Sequence, residues 1–156
     1  MKNKILIGVI SLVIILQFFT VDHSNPSVNH EIIINDENAK MILTKACYDC
    51  HSNETNWPWY SYVAPVSWMV VDDVEHARKD LNFSNFEDYT KKRKLHKLEE
   101  IKEELEKELM PLPSYAFMHS EADLTDDEKQ IIYNWVQIKI NELNMLNTPN
   151  TVPTNE

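Results

Sequence analysis

Both cysteines of the chain fall in one pentapeptide, CYDCH, at residues 47–51. A disulfide between two cysteines this close would stabilise a fold little, because the stabilisation grows with the length of the loop that is closed. A histidine directly follows the second cysteine. The pattern therefore indicates a shared chemical role for Cys47, Cys50 and His51.

The known uses of a C-x-x-C motif narrow that role. A structural zinc site needs four ligands, usually from a second pair of similar spacing, and the chain has no other cysteine. A redox C-x-x-C normally follows a strand of a thioredoxin-like βαβ unit, and no such pattern surrounds this one. The motif C-x-x-C-H is the attachment site of c-type haem. A half zinc site and a reactive dithiol are the alternatives.

The spacing of the three side chains suits a haem. Positions i, i+3 and i+4 of a helix lie on one face, so a helix would point both cysteines and the histidine at the same flat ring. Two thioether bonds then hold the porphyrin while the imidazole reaches the metal. We predict one covalent haem c, bound by Cys47 and Cys50, with His51 as an iron ligand.

The N-terminus predicts export. Lys2 and Lys4 precede the mostly apolar residues 5–21, ILIGVISLVIILQFFTV. No A-x-A-like cleavage site follows, so we favour an uncleaved transmembrane anchor over a cleaved signal, although the run is short and Gln17 weakens it. By the positive-inside rule the lysines stay in the cytoplasm. We therefore expect a single-pass inner-membrane protein whose haem domain lies on the periplasmic side, where bacteria attach haem c.

The composition of the chain restricts the possible fold classes and binding partners. The chain has 156 residues and a single glycine, and helical periodicity is far commoner than strand alternation, so we predict an all-α domain. Its 25 acidic and 15 basic residues give a net charge of −10, which disfavours nucleic acid as a partner and is compatible with a basic protein. We expect an anchor at 1–24, a polar tether at 25–36, the haem domain at 37–146 and a disordered tail at 147–156.

Local patterns predict four helices in the haem domain. The first starts near Asp36 as N-cap, and the second covers Ser67 to about Leu81. The third runs from about Tyr89 to Leu109, and the last opens with the capping box TDDE at 125–128. The apolar faces that these helices should bury are Ala39, Ile42, Leu43 and Ala46 in the first, Leu95, Leu98, Ile101, Leu105 and Leu109 in the third, and Ile131, Ile132, Trp135, Val136 and Leu143 in the last.

A proline-containing aromatic loop follows the motif. Its rings are Trp57, Trp59, Tyr60, Tyr62 and Trp68, and they could form ordinary core or line a haem pocket. The sequence does not separate these two interpretations.

A haem iron held by His51 has a second axial position. Methionine there favours electron transfer, whereas an open position allows ligand binding or peroxide chemistry. We favour Met110, since Pro111 and Pro113 stiffen the loop that carries it. The alternatives are His119, then Met69, Met118 or no protein ligand, and Met110 could instead be a core residue at a helix end.

At this point the chain resembles a known family. CYDCHSNET, the aromatic WPWY loop, MPLPSY and HSEADLTDDEK before a tryptophan-containing helix are similar, in that order, to the small bacterial haem-binding domain with one C-x-x-C-H motif. The resemblance covers about residues 37 to 143. It implies a small helical c-type cytochrome with Cys47, Cys50 and His51 at the haem, and it supports Met110 and His119 as notable positions.

The function that we expect is one-electron transfer with redox partner proteins by a membrane-tethered monohaem cytochrome. No catalytic acid, base or nucleophile arrangement stands out, so we expect a carrier rather than an enzyme. The alternatives are a peroxidase-like enzyme or small-gas sensor with an open sixth site, and a haem-bearing structural partner of a larger redox complex.

Overall fold

A computed structural model describes residues 2–145, and the regular structure of these residues is helical throughout, with no strand. The predicted all-α fold is confirmed. The disordered tail predicted for 147–156 lies outside the described residues. The helices are α1 (Lys2–Leu16), α2 (Glu37–Ala46), α3 (Tyr48–His51), α4 (Val66–Asp80), α5 (Lys91–Glu106), α6 (Pro113–Met118) and α7 (Asp126–Met145), with 3-10 turns at Trp59–Tyr62, Phe83–Asp88 and Ser120–Ala122.

The chain forms two compact units. The first comprises the residues up to Glu31 together with Tyr48–Asn85, and therefore contains α1, α3, α4 and the aromatic loop. Within it, α4 packs against α3 and against the turn Trp59–Tyr62. Its buried apolar side chains are Tyr48, Ala64, Val71, Val74, Leu81 and Phe83.

The second unit comprises Ile32–Cys47 and the residues from Phe86 onward. In it, α7 packs against both α2 and α5. The predicted inner face of α2 is buried at all four positions, and Ile132, Trp135 and Val136 are the buried residues of α7. The pattern of α2 is therefore confirmed at every position, whereas Ile131 and Leu143 of α7, which were also predicted to be buried, are half-buried.

The predicted N-caps of the second unit are confirmed. The Asp36 carboxylate accepts hydrogen bonds from the backbone N–H groups of Asn38 and Ala39, at 2.9 and 3.2 Å. At the start of α7, the Thr125 hydroxyl accepts from the Glu128 N–H at 3.3 Å, and the Glu128 carboxylate accepts from the Thr125 N–H at 3.0 Å. This reciprocal pair is a capping box, which satisfies donors that the first helical turn leaves unpaired.

Helix α5 ends earlier than predicted. Glu108 adopts a left-handed conformation with φ 57°, and the N–H groups of Glu108 and Leu109 donate back to the carbonyls of Leu105 and Glu104, at 3.2 and 3.0 Å. These two bonds form a Schellman motif. Leu98 and Leu105 are buried as predicted, but the prediction is wrong for Leu109, which lies beyond the helix and is exposed.

Helix α1 has no buried residue, and every side chain except Leu16 is exposed. Among the described residues, no helix combines the length and the apolar character that crossing a membrane requires.

The capping box generates a stability prediction for Glu128, which also pairs with Lys45 of α2. Glu128→Ala removes the cap and the ion pair and should lower the free energy of unfolding by about 1 kcal/mol. Glu128→Gln keeps the cap and should lose less, because the ion pair is partly exposed. Urea unfolding at pH 7, followed by circular dichroism, measures both values, and equal losses in the two variants would contradict this account.

The same carboxylate predicts a pH dependence. The hydrogen bond from Lys45 is the main reason that the pKa of Glu128 is lowered from 4.5. A lowered carboxyl pKa stabilises the fold above the unfolded-state pKa, and that contribution is lost as the pH falls through the folded-state pKa. The difference in free energy of unfolding between the parent and Glu128→Gln should therefore disappear as the pH is lowered below 4.5.

Candidate functional site

The CYDCH motif lies across a break between two helices. Cys47 is the C-cap of α2, with φ −127°, while Cys50 and His51 belong to the short helix α3. The single continuous helix expected for the motif is therefore not present. The cause lies at Tyr48, whose hydroxyl donates to the Glu31 carboxylate at 2.9 Å and whose ring stacks on Phe83 at 5.2 Å, so that α3 has contacts of its own.

Both thiols of the motif are half-buried, and no disulfide joins them. Burial is the main reason that the pKa of Cys50 is raised to about 11, and the negative charges of Asp49 and Asp73 add to this effect. Arg78 acts in the opposite direction. Cys50 is therefore a neutral thiol at pH 7.

The orientation of His51 is set by the end of α4. Its Nδ1 lies 3.0 Å from the carbonyl oxygen of Leu81, and Phe83 lies at the ring edge with centroids 6.4 Å apart. Since a carbonyl only accepts, Nδ1 carries the proton and the lone pair of the neutral ring is on Nε2. Leu81 is the C-cap of α4, and a carbonyl at this position has no intrahelical partner. This arrangement is typical of a histidine prepared to bind a metal through Nε2.

Arg78 of α4 holds the loop that follows the motif. Its guanidinium donates to the Ser52 carbonyl at 2.8 Å, to the Thr55 hydroxyl at 2.7 Å, to the Asn25 side chain at 2.7 Å and to the Ser24 carbonyl at 3.2 Å. One rigid fork therefore joins the end of the motif to the N-terminal segment. No local pattern in the sequence identifies Arg78, since its partners lie up to 54 positions away.

Further hydrogen bonds fix the same loop from within. The Ser52 hydroxyl donates to the Tyr48 carbonyl and the Thr55 hydroxyl to the Asp49 carbonyl, both at 2.7 Å. The Asn53 N–H donates to the Ser84 hydroxyl at 2.9 Å. Polar groups of residues 52–55 thus close the chain around α3, which keeps Cys50 and His51 in a defined conformation.

The predicted polar tether at 25–36 has no helix or strand, and its residues up to Glu31 belong to the first unit. Asn53 donates to the Ser27 carbonyl at 2.9 Å, and the His30 N–H donates to the Ser84 carbonyl at 3.2 Å. Together with the Arg78 contacts, these bonds hold residues 24–30 along the unit. The sequence does not indicate these contacts, because the segment has little apolar periodicity.

The rings of the aromatic loop do not form a buried core. Trp57 and Tyr60 are half-buried, whereas Trp59 and Tyr62 are exposed. The Trp57 Nε1 is a buried donor for which the described residues offer no acceptor. A buried donor normally finds a partner, which can be water or a bound group.

The candidates for the sixth ligand occupy the second unit or the surface. Met110 is half-buried just after α5, and its N–H donates to the Glu104 carbonyl at 3.4 Å. His119 stacks on Tyr115 at 4.4 Å, with its Nδ1 3.2 Å from the Glu121 carboxylate. Met69 and Met118 are exposed. Because His51 belongs to the other unit, the choice of Met110 stays a prediction.

The residues present are compatible with a haem. Cysteines that are not joined in a disulfide, as Cys47 and Cys50 are here, are the form that thioether bonds require, and the tautomer of His51 leaves the lone pair on Nε2. The described residues contain no cluster of three or more histidine, cysteine or acidic side chains placed to hold a metal ion. A haem iron does not need one, since the porphyrin supplies four of its ligands.

Comparison with known proteins gives one match. A family model described as a haem-binding domain matches residues 11–138, which is most of the chain. No curated protein matches, and no solved structure matches. The match begins inside α1 and includes the complete CYDCH motif, the aromatic loop and most of α7.

The contacts of Arg78 lead to a stability prediction. Arg78→Lys keeps the charge but cannot reproduce the fork, so it should lower the free energy of unfolding by about 2 kcal/mol. The matched control is Arg93→Lys, because Arg93 is exposed and lies over the ring of Tyr89. Its effect should stay within about 0.5 kcal/mol. Chemical denaturation measures the free energy of unfolding of both variants. A decrease for Arg78→Lys no larger than that of the control would refute the stabilising role of the Arg78 hydrogen bonds.

Proposed function

Because the chain belongs to the haem-binding domain family, we propose that it is a monohaem c-type cytochrome that transfers single electrons. Cys47 and Cys50 form the two thioether bonds, and His51 is the proximal iron ligand. The observation that carries this proposal is the hydrogen bond between His51 Nδ1 and the Leu81 carbonyl, 3.0 Å long. It fixes the ring in the tautomer that a histidine ligand needs.

The haem, when bound, supplies an iron that changes its charge by one electron. The residues of the chain have the task of holding that iron still. Leu81 orients His51, and the Arg78 clamp orients the loop that follows it. A ligand that is fixed in both redox states leaves little to rearrange, which favours rapid electron transfer.

Met110 is the proposed sixth ligand, with His119 as the alternative. A thioether is a soft, neutral ligand that favours ferrous iron and raises the reduction potential. The position of Met110 after the Schellman end of α5 supports it, since the bond from its N–H to Glu104 ties the backbone to the helix. A histidine ligand would instead lower the potential.

The proposed location is the exported side of the bacterial inner membrane, with α1 and the residues after it as a tether. In support, the apolar side chains of α1 are exposed to an extent that is uncommon in a protein surrounded only by water. Lys2 and Lys4 precede the apolar run, as the positive-inside rule expects of a cytoplasmic end. Redox partner proteins would then exchange electrons with the haem domain outside the cytoplasm.

Covalent attachment is tested with cysteine variants. Expressed with a c-type maturation system, the parent should keep its haem stain on a denaturing gel, and Cys47→Ala with Cys50→Ala should lose it, because both thioether bonds are gone. Thr44→Ala is the matched control, since Thr44 is an exposed polar residue of α2 three positions before Cys47 and its substitution leaves both sulfurs. A parent without covalent stain, or a double variant that keeps it, would refute the proposed attachment.

The sixth ligand is tested by absorption spectroscopy of the oxidised protein. A methionine-to-iron charge-transfer band should be present in the parent and in the control Met118→Ala, and absent in Met110→Ala. Loss of the low-spin state in His119→Ala would assign the ligand to His119 instead. A high-spin parent that binds cyanide or carbon monoxide readily would contradict both and favour a peroxidase-like enzyme or gas sensor.

A further inference from the structure

The end of the apolar N-terminal run is hydrogen-bonded to the aromatic loop within the first unit. The Gln17 amide donates to the Ala64 carbonyl at 3.1 Å and accepts from the Ala64 N–H at 3.0 Å. The indole N–H of Trp68 donates to the carbonyl of Phe19 at 3.0 Å. These three bonds place the aromatic loop beside the point where α1 ends.

The two segments that meet here share a lack of charge. Aspartate, glutamate, lysine and arginine make up 26% of the chain, yet none occurs in residues 5–21 or in residues 55–71. The charges return at once on both sides, with Asp22 after the first run and Asp72 after the second. The absence of charge suits contact with the apolar part of a bilayer, where a charged side chain is costly.

The loop and the start of α4 expose large apolar side chains. Trp59 is 73% exposed and Met69 is 67% exposed. We give the name aromatic-loop face to the exposed apolar and aromatic residues of these two segments, which are Phe18, Phe19, Trp59, Tyr62, Val63, Val66 and Met69. Contact between large apolar side chains and water is unfavourable. Tryptophan and tyrosine concentrate at membrane interfaces because their rings are apolar with one polar tip.

Polar groups at the base of this face are satisfied. Gln17 uses both ends of its amide on Ala64, and its amide nitrogen also donates to the Val13 carbonyl at 2.8 Å. The ring of His23 stacks on Tyr62 with centroids 4.2 Å apart, and its Nε2 lies 2.7 Å from the Ser61 carbonyl oxygen. The Gln17 amide and the His23 Nε2 therefore already have hydrogen-bond partners within the unit, which lowers the cost of removing water from them.

We infer that the aromatic-loop face lies in the lipid–water interface of the membrane that holds α1. This inference rests on the proposed tether and adds that the first unit, with Cys50 and His51, is held against the bilayer in one orientation. The occupant of the face is a bilayer because the face continues directly from an exposed apolar helix and carries no charge that a protein partner could pair with. A second copy of this chain is the competing occupant.

The test is hydroxyl-radical footprinting of the full-length protein in phosphatidylcholine nanodiscs loaded with one chain each. Met41 in the second unit is the internal reference, because its exposure of 62% is close to the 67% of Met69. In the disc, Met69 should be oxidised several-fold more slowly than Met41. Trp59 should be protected in parallel.

Two variants that introduce a charge, one on the aromatic-loop face and one elsewhere, test whether the protection of Met69 depends on this face. Val66→Asp places a carboxylate on the aromatic-loop face and should raise the oxidation of Met69 to the rate of Met41. Ile138→Asp is the matched control, because Ile138 is an exposed aliphatic residue of α7 in the second unit, and it should leave the protection of Met69 unchanged.

Three outcomes would overturn the inference. Equal oxidation of Met69 and Met41 in a disc-bound chain would refute the interfacial face alone and leave the tether intact. Protection that appears only with two chains per disc would assign the face to a second copy. A chain that does not remain with the discs would refute the tether and the face together. The haem absorbance of the same sample reports haem binding independently of these outcomes.

Discussion

The hydrogen bond between His51 and the Leu81 carbonyl is the contact on which the proposed site depends, and it exists because α4 ends where it does. A C-cap residue has a carbonyl that the helix does not use, and here that carbonyl accepts the imidazole proton. One turn earlier, Arg78 binds the loop after the motif. The last turn of α4 therefore orients both the proposed iron ligand and the chain that follows it.

The first unit is held together by polar contacts to an unusual degree. Its core is small, and residues 24–30 and 52–55 are attached by hydrogen bonds to α4 and to the turn that contains Ser84. Each of these hydrogen bonds contributes little to the free energy of unfolding. Because hydrogen bonds are directional, their main effect is to select one conformation of the chain. In the proposed site, the first unit presents Cys50 and His51 to a rigid ring, and a well-defined conformation suits that task.

Local signals in the sequence were sufficient for most of the second unit. Asp36 and the Thr125–Glu128 pair identified two helix starts, and apolar periodicity identified the buried faces of α2 and α7. The motif itself identified the candidate ligands. These features are encoded within a few residues of chain, where capping chemistry and helical spacing act directly.

The remainder depends on contacts between distant residues. Arg78 reaches Ser24 across 54 positions and Gln17 reaches Ala64 across 47, and no local pattern specifies either pair. The end of α5 was missed for a different reason, since Glu108 takes the left-handed conformation that glycine usually provides. The break at Cys47 follows from Tyr48, whose partners Glu31 and Phe83 are also remote.

Covalent attachment of haem to CYDCH can be measured by peptide mass spectrometry of the mature protein. After extraction with acidified organic solvent and proteolysis, we predict that the peptide containing residues 47–51 retains the mass of one haem, with neither Cys47 nor Cys50 open to alkylation. Haem that leaves with the solvent, together with two alkylated cysteines, would contradict it.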